Sequence, residues 1–94
     1  MLFMAEMTVK IPASLDPKLV EQLKADEKAM SQRLQREGKW RHLWRVVGQY
    51  ANVSIFDVGD NDELHTLLTA LPLYPYMEIK VTPLAQHGSA IAPN

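Results

Sequence analysis

The longest periodic pattern in the chain runs from Asp16 to Gly38 and predicts a helix. Asp16 is a favourable N-cap, Pro17 suits the first helical position, and Gly38 is the expected stop. Spacings of three and four define one inward-facing stripe, which reads Val20, Leu23, Glu27, Met30 and Leu34. The centre of this stripe therefore carries a carboxylate where an apolar side chain is expected.

Apolar and polar positions alternate in other stretches, as in half-buried strands. The strands are expected at Leu2–Ile11, Trp40–Val47, Gln49–Asp57 and Tyr76–Thr82. Gly48 lies at the turn between the second and third strands, and leucines at helical spacing predict a short helix at Glu63–Leu71. The stretch from Pro83 to Asn94 shows little periodicity and predicts an irregular C-terminal arm.

The resulting order, β-α-β-β-α-β, predicts a single α+β domain over residues 1–94 with a ferredoxin-like antiparallel sheet and both helices on one face. Strand parity predicts that the helix-covered face holds Phe3, Ala5, Met7, Val53, Ile55, Met77, Ile79 and Val81. It assigns to the other face Trp40, His42, Trp44, Tyr50, Asn52, Ser54, Phe56 and Tyr76. A mixed face rich in Trp and Tyr is typical of a subunit contact or a pocket, so we expect an oligomer.

Composition narrows the classes of function. The chain has 94 residues with 10 basic and 11 acidic side chains, a net charge of −1, which gives no electrostatic reason to expect nucleic acid or an anionic membrane as partner. No apolar run reaches the length of a membrane span, and the N-terminus lacks the pattern of a signal peptide. The absence of cysteine excludes disulfides and thiolate metal sites and fits a cytoplasmic protein. The histidines are too dispersed in sequence to predict a metal site.

Glu27 has two interpretations. It either neutralises an Arg or Lys at the edge of the core, such as Arg41 or Arg45, or burial raises its pKa so that it exchanges a proton near neutral pH. From position alone the ion pair is favoured, because structural ion pairs are commoner than catalytic carboxylates.

Other polar residues are candidates for binding. Tyr50 and Asn52 are neutral donors suited to a developing enolate oxygen, whereas Ser54 on the same strand is interpreted as solvated or subunit-facing. Arg41 and Arg45 are candidates for a substrate carboxylate. His42, between two tryptophans, is more often a packed residue than a catalyst, and we include it among the substrate-binding candidates.

Three stretches resemble the muconolactone delta-isomerase family: MLFMAEMTVKIP, LKADEKAMSQRLQREGKWRHLWRVVGQYANVSIFDV and LPLYPYMEIKVTPLAQH. Together they cover nearly the whole chain. The clearest departure is Met4, where several family members carry His, which argues against an essential side chain at that position.

The resemblance implies an enzyme of aromatic catabolism, in the catechol branch of the β-ketoadipate pathway. Members convert muconolactone to the 3-oxoadipate enol-lactone through a dienolate, with no metal or organic cofactor. The implied assembly is a large homo-oligomer, a decamer built from dimers, with sites where subunits meet. A chloromuconolactone dehalogenase of the same family and a non-catalytic ligand-binding module are the alternatives.

Matched to this reaction, Glu27 is the candidate base, Tyr50 and Asn52 are donors to the dienolate oxygen, and Arg41 or Arg45 binds the acetate arm. Strand parity sets Tyr50 and Asn52 on the face opposite Glu27. These residues are therefore expected to share a site only across a strand bulge or between subunits.

Overall fold

The computed structural model describes residues 1–94 and contains one four-stranded sheet with two α-helices. The strands are β1 (Leu2–Val9), β2 (Trp40–Arg45), β3 (Ala51–Asp57) and β4 (Met77–Leu84). The helices are α1 (Pro17–Arg36) and α2 (Asn61–Thr69), and a short 3-10 turn at Tyr74–Tyr76 precedes β4. The predicted order of strands and helices is confirmed.

The ends of α1 follow from its terminal residues. The Asp16 side chain accepts a hydrogen bond of 3.0 Å from the backbone N–H of Lys18, as an N-cap does. At the other end Gly38 adopts a φ of +79°, which a glycine tolerates without strain. The backbone N–H of Lys39 then reaches back to the carbonyl oxygen of Leu34 at 3.0 Å. The predicted start and stop of α1 are confirmed.

The other boundaries shift by a few residues. Helix α2 begins at Asn61 rather than at residue 63, because Asp60 caps it by accepting the Glu63 backbone N–H at 2.8 Å. Strand β4 continues to Leu84, which pairs with Leu2. Pro83 and Leu84 therefore belong to the sheet, and the segment without helix or strand is 85–94.

The sheet has the strand order β2-β3-β1-β4, and every neighbouring pair is antiparallel. Directly opposite residues share a face of a sheet, so the register between β1 and β3 fixes what each face carries. The opposed pairs are Phe3 with Phe56, Ala5 with Ser54, and Met7 with Asn52.

The parity predicted for β3 is consequently wrong. Asn52, Ser54 and Phe56 lie on the face of β1 that carries the core residues, whereas Val53 and Ile55 lie on the opposite face. The strand has apolar residues of both parities, so its own pattern does not select the buried side. Pairing with β1 makes that choice.

The face predicted for Trp40 is also wrong, because β2 contains a β-bulge between Trp40 and His42. Trp40 pairs with Phe56 and His42 with Ile55, so Arg41 is the extra residue, and Trp40 leaves the face of His42 and Trp44. Trp40 is 3% exposed, and its ring centroid lies 4.8 Å from that of Phe56. Trp44 is 55% exposed and stacks on His42 at 5.0 Å.

One buried cluster holds the fold together. It joins the inward residues of the sheet to Leu34 of α1 and to the leucines of α2, and its members are Phe3, Ala5, Met7, Leu34, Trp40, Phe56, Val58, Leu64, Leu67, Leu68 and Leu71. Both helices thus cover the same face of the sheet. Neither helix is both long and apolar enough to span a lipid bilayer.

Candidate active site

A cavity of about 180 Å³ opens between the C-terminal half of α1, at Glu27 and Ser31, and the sheet. Most of its lining is apolar, including Met7, Leu43 and Leu73. The polar side chains in it include four predicted site residues, namely Glu27, Arg45, Tyr50 and Asn52. A single chain therefore brings these four together, with no need for the parity change or the second subunit that the sequence pattern required.

Glu27 reaches the cavity from the inward stripe of α1. Its Oε1 accepts a hydrogen bond of 2.8 Å from the backbone N–H of Leu73. Desolvation by burial raises the pKa of Glu27 above its ordinary value of 4.5, although the hydrogen bond from Leu73 opposes the shift. A carboxylate with a raised pKa in an apolar cavity is suited to accepting a proton from a substrate.

The alternative interpretation of Glu27, an ion pair with Arg41 or Arg45, is wrong. The five ion pairs of the structure do not include Glu27. Arg41 pairs instead with Asp57, Nη1 to Oδ2, at 3.4 Å. Arg45 belongs to none of the five pairs, so its guanidinium remains available to an anionic ligand.

Arg45 and Asn52 are direct cross-strand neighbours on β2 and β3. Tyr50, which precedes β3, has two cations near its ring: Lys24 Nζ lies 5.3 Å and Arg45 Cζ 5.4 Å from the ring centroid. Lys24 is a residue that the sequence reading missed. It stands three positions before Glu27 on α1, a spacing that sets both on one helical face and was a usable signal.

The remaining two candidates lie elsewhere. Arg41 and His42 line a separate cavity with Leu2, Leu84 and Asn94, on the side of the sheet away from the helices. The structure does not bring them to the cavity that contains Glu27.

Two further polar groups on the helix-covered face stand out. Ser54 is fully buried, and its Oγ donates a hydrogen bond of 2.7 Å to Oδ1 of Asn52; the interpretation of Ser54 as solvated or subunit-facing is wrong. Trp40 also lines the cavity, and its indole Nε1 is buried without a hydrogen-bond partner in the chain. No three His, Asp or Glu side chains stand close enough together to hold a metal ion.

The fold and the site together define a small α+β protein in which one partly buried carboxylate shares an apolar cavity with a phenol, an amide and an arginine that forms no ion pair. This combination of groups is suited to an enzyme that transfers a proton within an anionic substrate.

Comparison with known proteins gives the family. A family model for muconolactone delta-isomerase matches residues 1–90. The Muconolactone Delta-isomerase of Cupriavidus pinatubonensis is 58% identical over 91 residues, covering 97% of this chain and 99% of that one. The enzyme of the same name from Pseudomonas aeruginosa is 57% identical, covering 97% and 95%. A crystal structure of muconolactone isomerase superposes with a TM-score of 0.95 at 56% identity, covering 100% of this chain and 98% of that one. The chain belongs to the muconolactone delta-isomerase family, as the resemblance predicted.

Proposed function

We propose that this protein is a muconolactone delta-isomerase, which converts muconolactone into the 3-oxoadipate enol-lactone by an allylic proton shift. The observation that carries the proposal is the convergence of Glu27, with its raised pKa, on one apolar cavity with Arg45, Tyr50 and Asn52. Membership of the family supports the same activity.

Glu27 is the base in this mechanism. Its carboxylate removes the proton from the γ carbon of the lactone ring, and the electron pair delocalises through the ring into a dienolate centred on the lactone carbonyl oxygen. The protonated Glu27 then returns the proton to the α carbon, and the double bond has moved. No atom is gained or lost, and the carboxylate is regenerated. A base whose pKa is raised toward that of the carbon acid accepts the proton more readily.

Neutral donors stabilise the oxygen that becomes negative. The Asn52 amide and the Tyr50 hydroxyl are the proposed donors, because both side chains line the cavity with Glu27. Fixed donors aimed at a developing oxyanion in an apolar site lower the barrier more than they do in water, since no reorganisation is needed during the reaction.

Arg45 is the proposed partner of the substrate's acetate arm. Its side chain lines the same cavity and makes no ion pair within the chain. A free guanidinium binds a carboxylate through two parallel hydrogen bonds. Arg41 is a weaker candidate, because it is engaged with Asp57. His42 is weaker as well, because it lines the separate cavity of Arg41 rather than that of Glu27.

The assembly and setting are also proposals. The strand order β2-β3-β1-β4 supports a ferredoxin-like domain. Trp44 and Leu84 are both more than a third exposed on the face away from the helices. They support a homo-oligomer, which we propose to be a decamer built from dimers. The fully exposed Ile91 supports an arm that crosses onto a neighbouring subunit. Because one chain lines the cavity, the neighbour would close its mouth rather than supply the base. We propose a cytoplasmic enzyme of the catechol branch of the β-ketoadipate pathway.

An ultraviolet assay with purified protein and muconolactone tests the activity. We expect catalytic conversion to the enol-lactone without added metal or cofactor. A parallel assay with a chlorinated muconolactone measures chloride release. Chloride release without turnover of muconolactone would identify a dehalogenase instead, and binding without turnover of either lactone would identify a ligand-binding module.

A further inference from the structure

Ser54 is a polar residue in an apolar position. It is 0% exposed, and its direct cross-strand neighbours are Ala5 on β1 and Leu43 on β2, neither of which has a polar side-chain atom. A buried hydroxyl without a partner costs free energy, so Ser54 depends on the one bond that it makes. That bond is the 2.7 Å contact from Ser54 Oγ to Asn52 Oδ1.

The direction of this hydrogen bond determines which end of the Asn52 amide faces Ser54: the hydroxyl donates to Oδ1, whereas opposite Nδ2 it could only accept, and its own hydrogen would lose its acceptor. The two residues are separated by one position on β3, so their side chains lie on the same face of the sheet. A carboxamide carries its acceptor oxygen and its donor nitrogen on opposite sides of one planar group. With Oδ1 held by Ser54, Nδ2 is turned away from Ser54, and it donates no hydrogen bond within the chain. Asn52 lines the Glu27 cavity, so these two N–H groups are free for a ligand.

We propose that Ser54 is a positioning residue that holds the Asn52 amide with Nδ2 toward the cavity, where it donates to the oxyanion of the bound dienolate. This inference rests on the proposed function and deepens it. Ser54 itself touches no substrate, because it has no exposed surface. If the amide rotated by half a turn, Asn52 would present its carbonyl oxygen to the oxyanion, and repulsion would replace stabilisation.

A merely structural Ser54 would behave differently. The bond to Asn52 would then only provide the buried Ser54 hydroxyl with an acceptor. Removal of the hydroxyl would alter the free energy of unfolding without a specific effect on kcat. The two roles separate in a double-mutant cycle between Ser54 and Asn52, because a residue that acts through Asn52 has nothing to act on once Asn52 is truncated.

The test measures kcat and KM with muconolactone for Ser54→Ala, Asn52→Ala and the double variant. We expect Asn52→Ala to lower kcat by about 100-fold, the typical loss for one oxyanion donor. Ser54→Ala is expected to lower kcat by about tenfold with little change in KM. The double variant should be no slower than Asn52→Ala alone. Ser54→Cys, close in volume and a weaker donor, should fall between wild type and Ser54→Ala.

Thr69→Ala is the control for loss of a hydroxyl hydrogen bond. Thr69 on α2 donates to the carbonyl oxygen of His65 at 2.8 Å and lies outside the cavity, so its kcat should equal that of wild type. Wild-type kcat in Ser54→Ala would overturn the proposal, as would an equal fold-loss from Ser54→Ala in both Asn52 backgrounds.

A second readout does not depend on turnover. The chain has only three asparagines, Asn52, Asn61 and Asn94, so selective ¹⁵N labelling gives three side-chain amide pairs, and Asn52→Ala identifies one of them. We expect Ser54→Ala to shift the Asn52 pair and leave the other two in place. An unmoved Asn52 pair overturns the positioning role. If Ser54→Ala shifts the Asn52 pair but the wild-type protein does not turn over muconolactone, the positioning of the amide stands and the proposed function is overturned instead.

Discussion

Arg41 and Arg45 lie four residues apart in the same strand, yet their surroundings differ completely. Arg45 stands opposite Asn52 in the cavity of Glu27 and makes no ion pair. Arg41 is bonded to Asp57 at 3.4 Å and lines a cavity on the other side of the sheet. In a regular strand, residues at even separations share a face, so both arginines would have pointed the same way.

The bulge at Arg41 makes the difference. One extra residue between Trp40 and His42 reverses the alternation that precedes it. Trp40 enters the core, Arg41 turns toward Asp57, and the strand from Leu43 onward keeps Arg45 in the cavity. A single inserted position thus separates a structural arginine from one that is free to bind an anion.

The largest expected effect follows from removing the proposed base, Glu27, which lines the same cavity as Arg45. Glu27→Gln should lower kcat by about 10²–10⁴-fold, because general base catalysis is lost while the shape and the hydrogen bond from Leu73 are kept. Steady-state kinetics with muconolactone measure this. Glu21→Gln, an exposed carboxylate on the same helix, is the matched control and should be unaffected. Wild-type turnover in Glu27→Gln would remove Glu27 as the base.

The next largest effect is expected on KM when Arg45 is replaced, with Arg41 as the comparison. Arg45→Met should raise KM by about 10–100-fold, the equivalent of a lost charged hydrogen bond of about 1.5–3 kcal/mol. Arg41→Met should change KM less than about twofold, because it breaks only a partly exposed ion pair. The reverse outcome would assign the acetate arm to the cavity of Arg41 and His42 and contradict the comparison.

Lys24 on α1 is a second cation near Tyr50, and its removal tests how much of the anion binding depends on Arg45 alone. Lys24→Met should raise KM by about two- to fivefold, since an exposed cation near the ligand's carboxylate contributes about 0.5–1 kcal/mol. The effect should shrink as ionic strength rises, because salt screens exposed charges. Lys18→Met, at the exposed start of the same helix, should leave KM unchanged at every salt concentration. An equal change in both variants would indicate general electrostatic attraction rather than a contact of the substrate with Lys24 beside the Tyr50 ring.

The smallest effect concerns stability. Because burial raises the pKa of Glu27 in the folded state, the unfolded chain releases this proton first as pH rises. The wild type therefore loses stability between pH 4.5, the ordinary value, and the raised pKa, and Glu27→Gln does not. Chemical unfolding should show Glu27→Gln gaining stability relative to wild type across that window, with a constant difference above and below it. A difference that does not vary with pH would contradict the raised pKa.

The sequence pattern predicted α1, its caps and the order of elements because these depend on local signals. The unusual carboxylate at position 27 was visible for the same reason, since helical spacing fixes its neighbours. The faces of β2 and β3 were not predictable in this way. Both strands carry apolar residues of either parity, so the register with β1 and the bulge, which are set by tertiary pairing, decide where Ser54 and Trp40 lie.

The hydrogen bond between Glu27 and Leu73 spans 46 positions of the chain. The hydrogen bond lowers the pKa of Glu27 and burial raises it. Neither influence is complete until the segment between α2 and β4 has docked onto α1. The acidity of one side chain is therefore a property of the finished fold, and an incompletely folded chain carries only an ordinary carboxylate at position 27. A titration of this single carboxyl group would report whether the last quarter of the chain has reached its place.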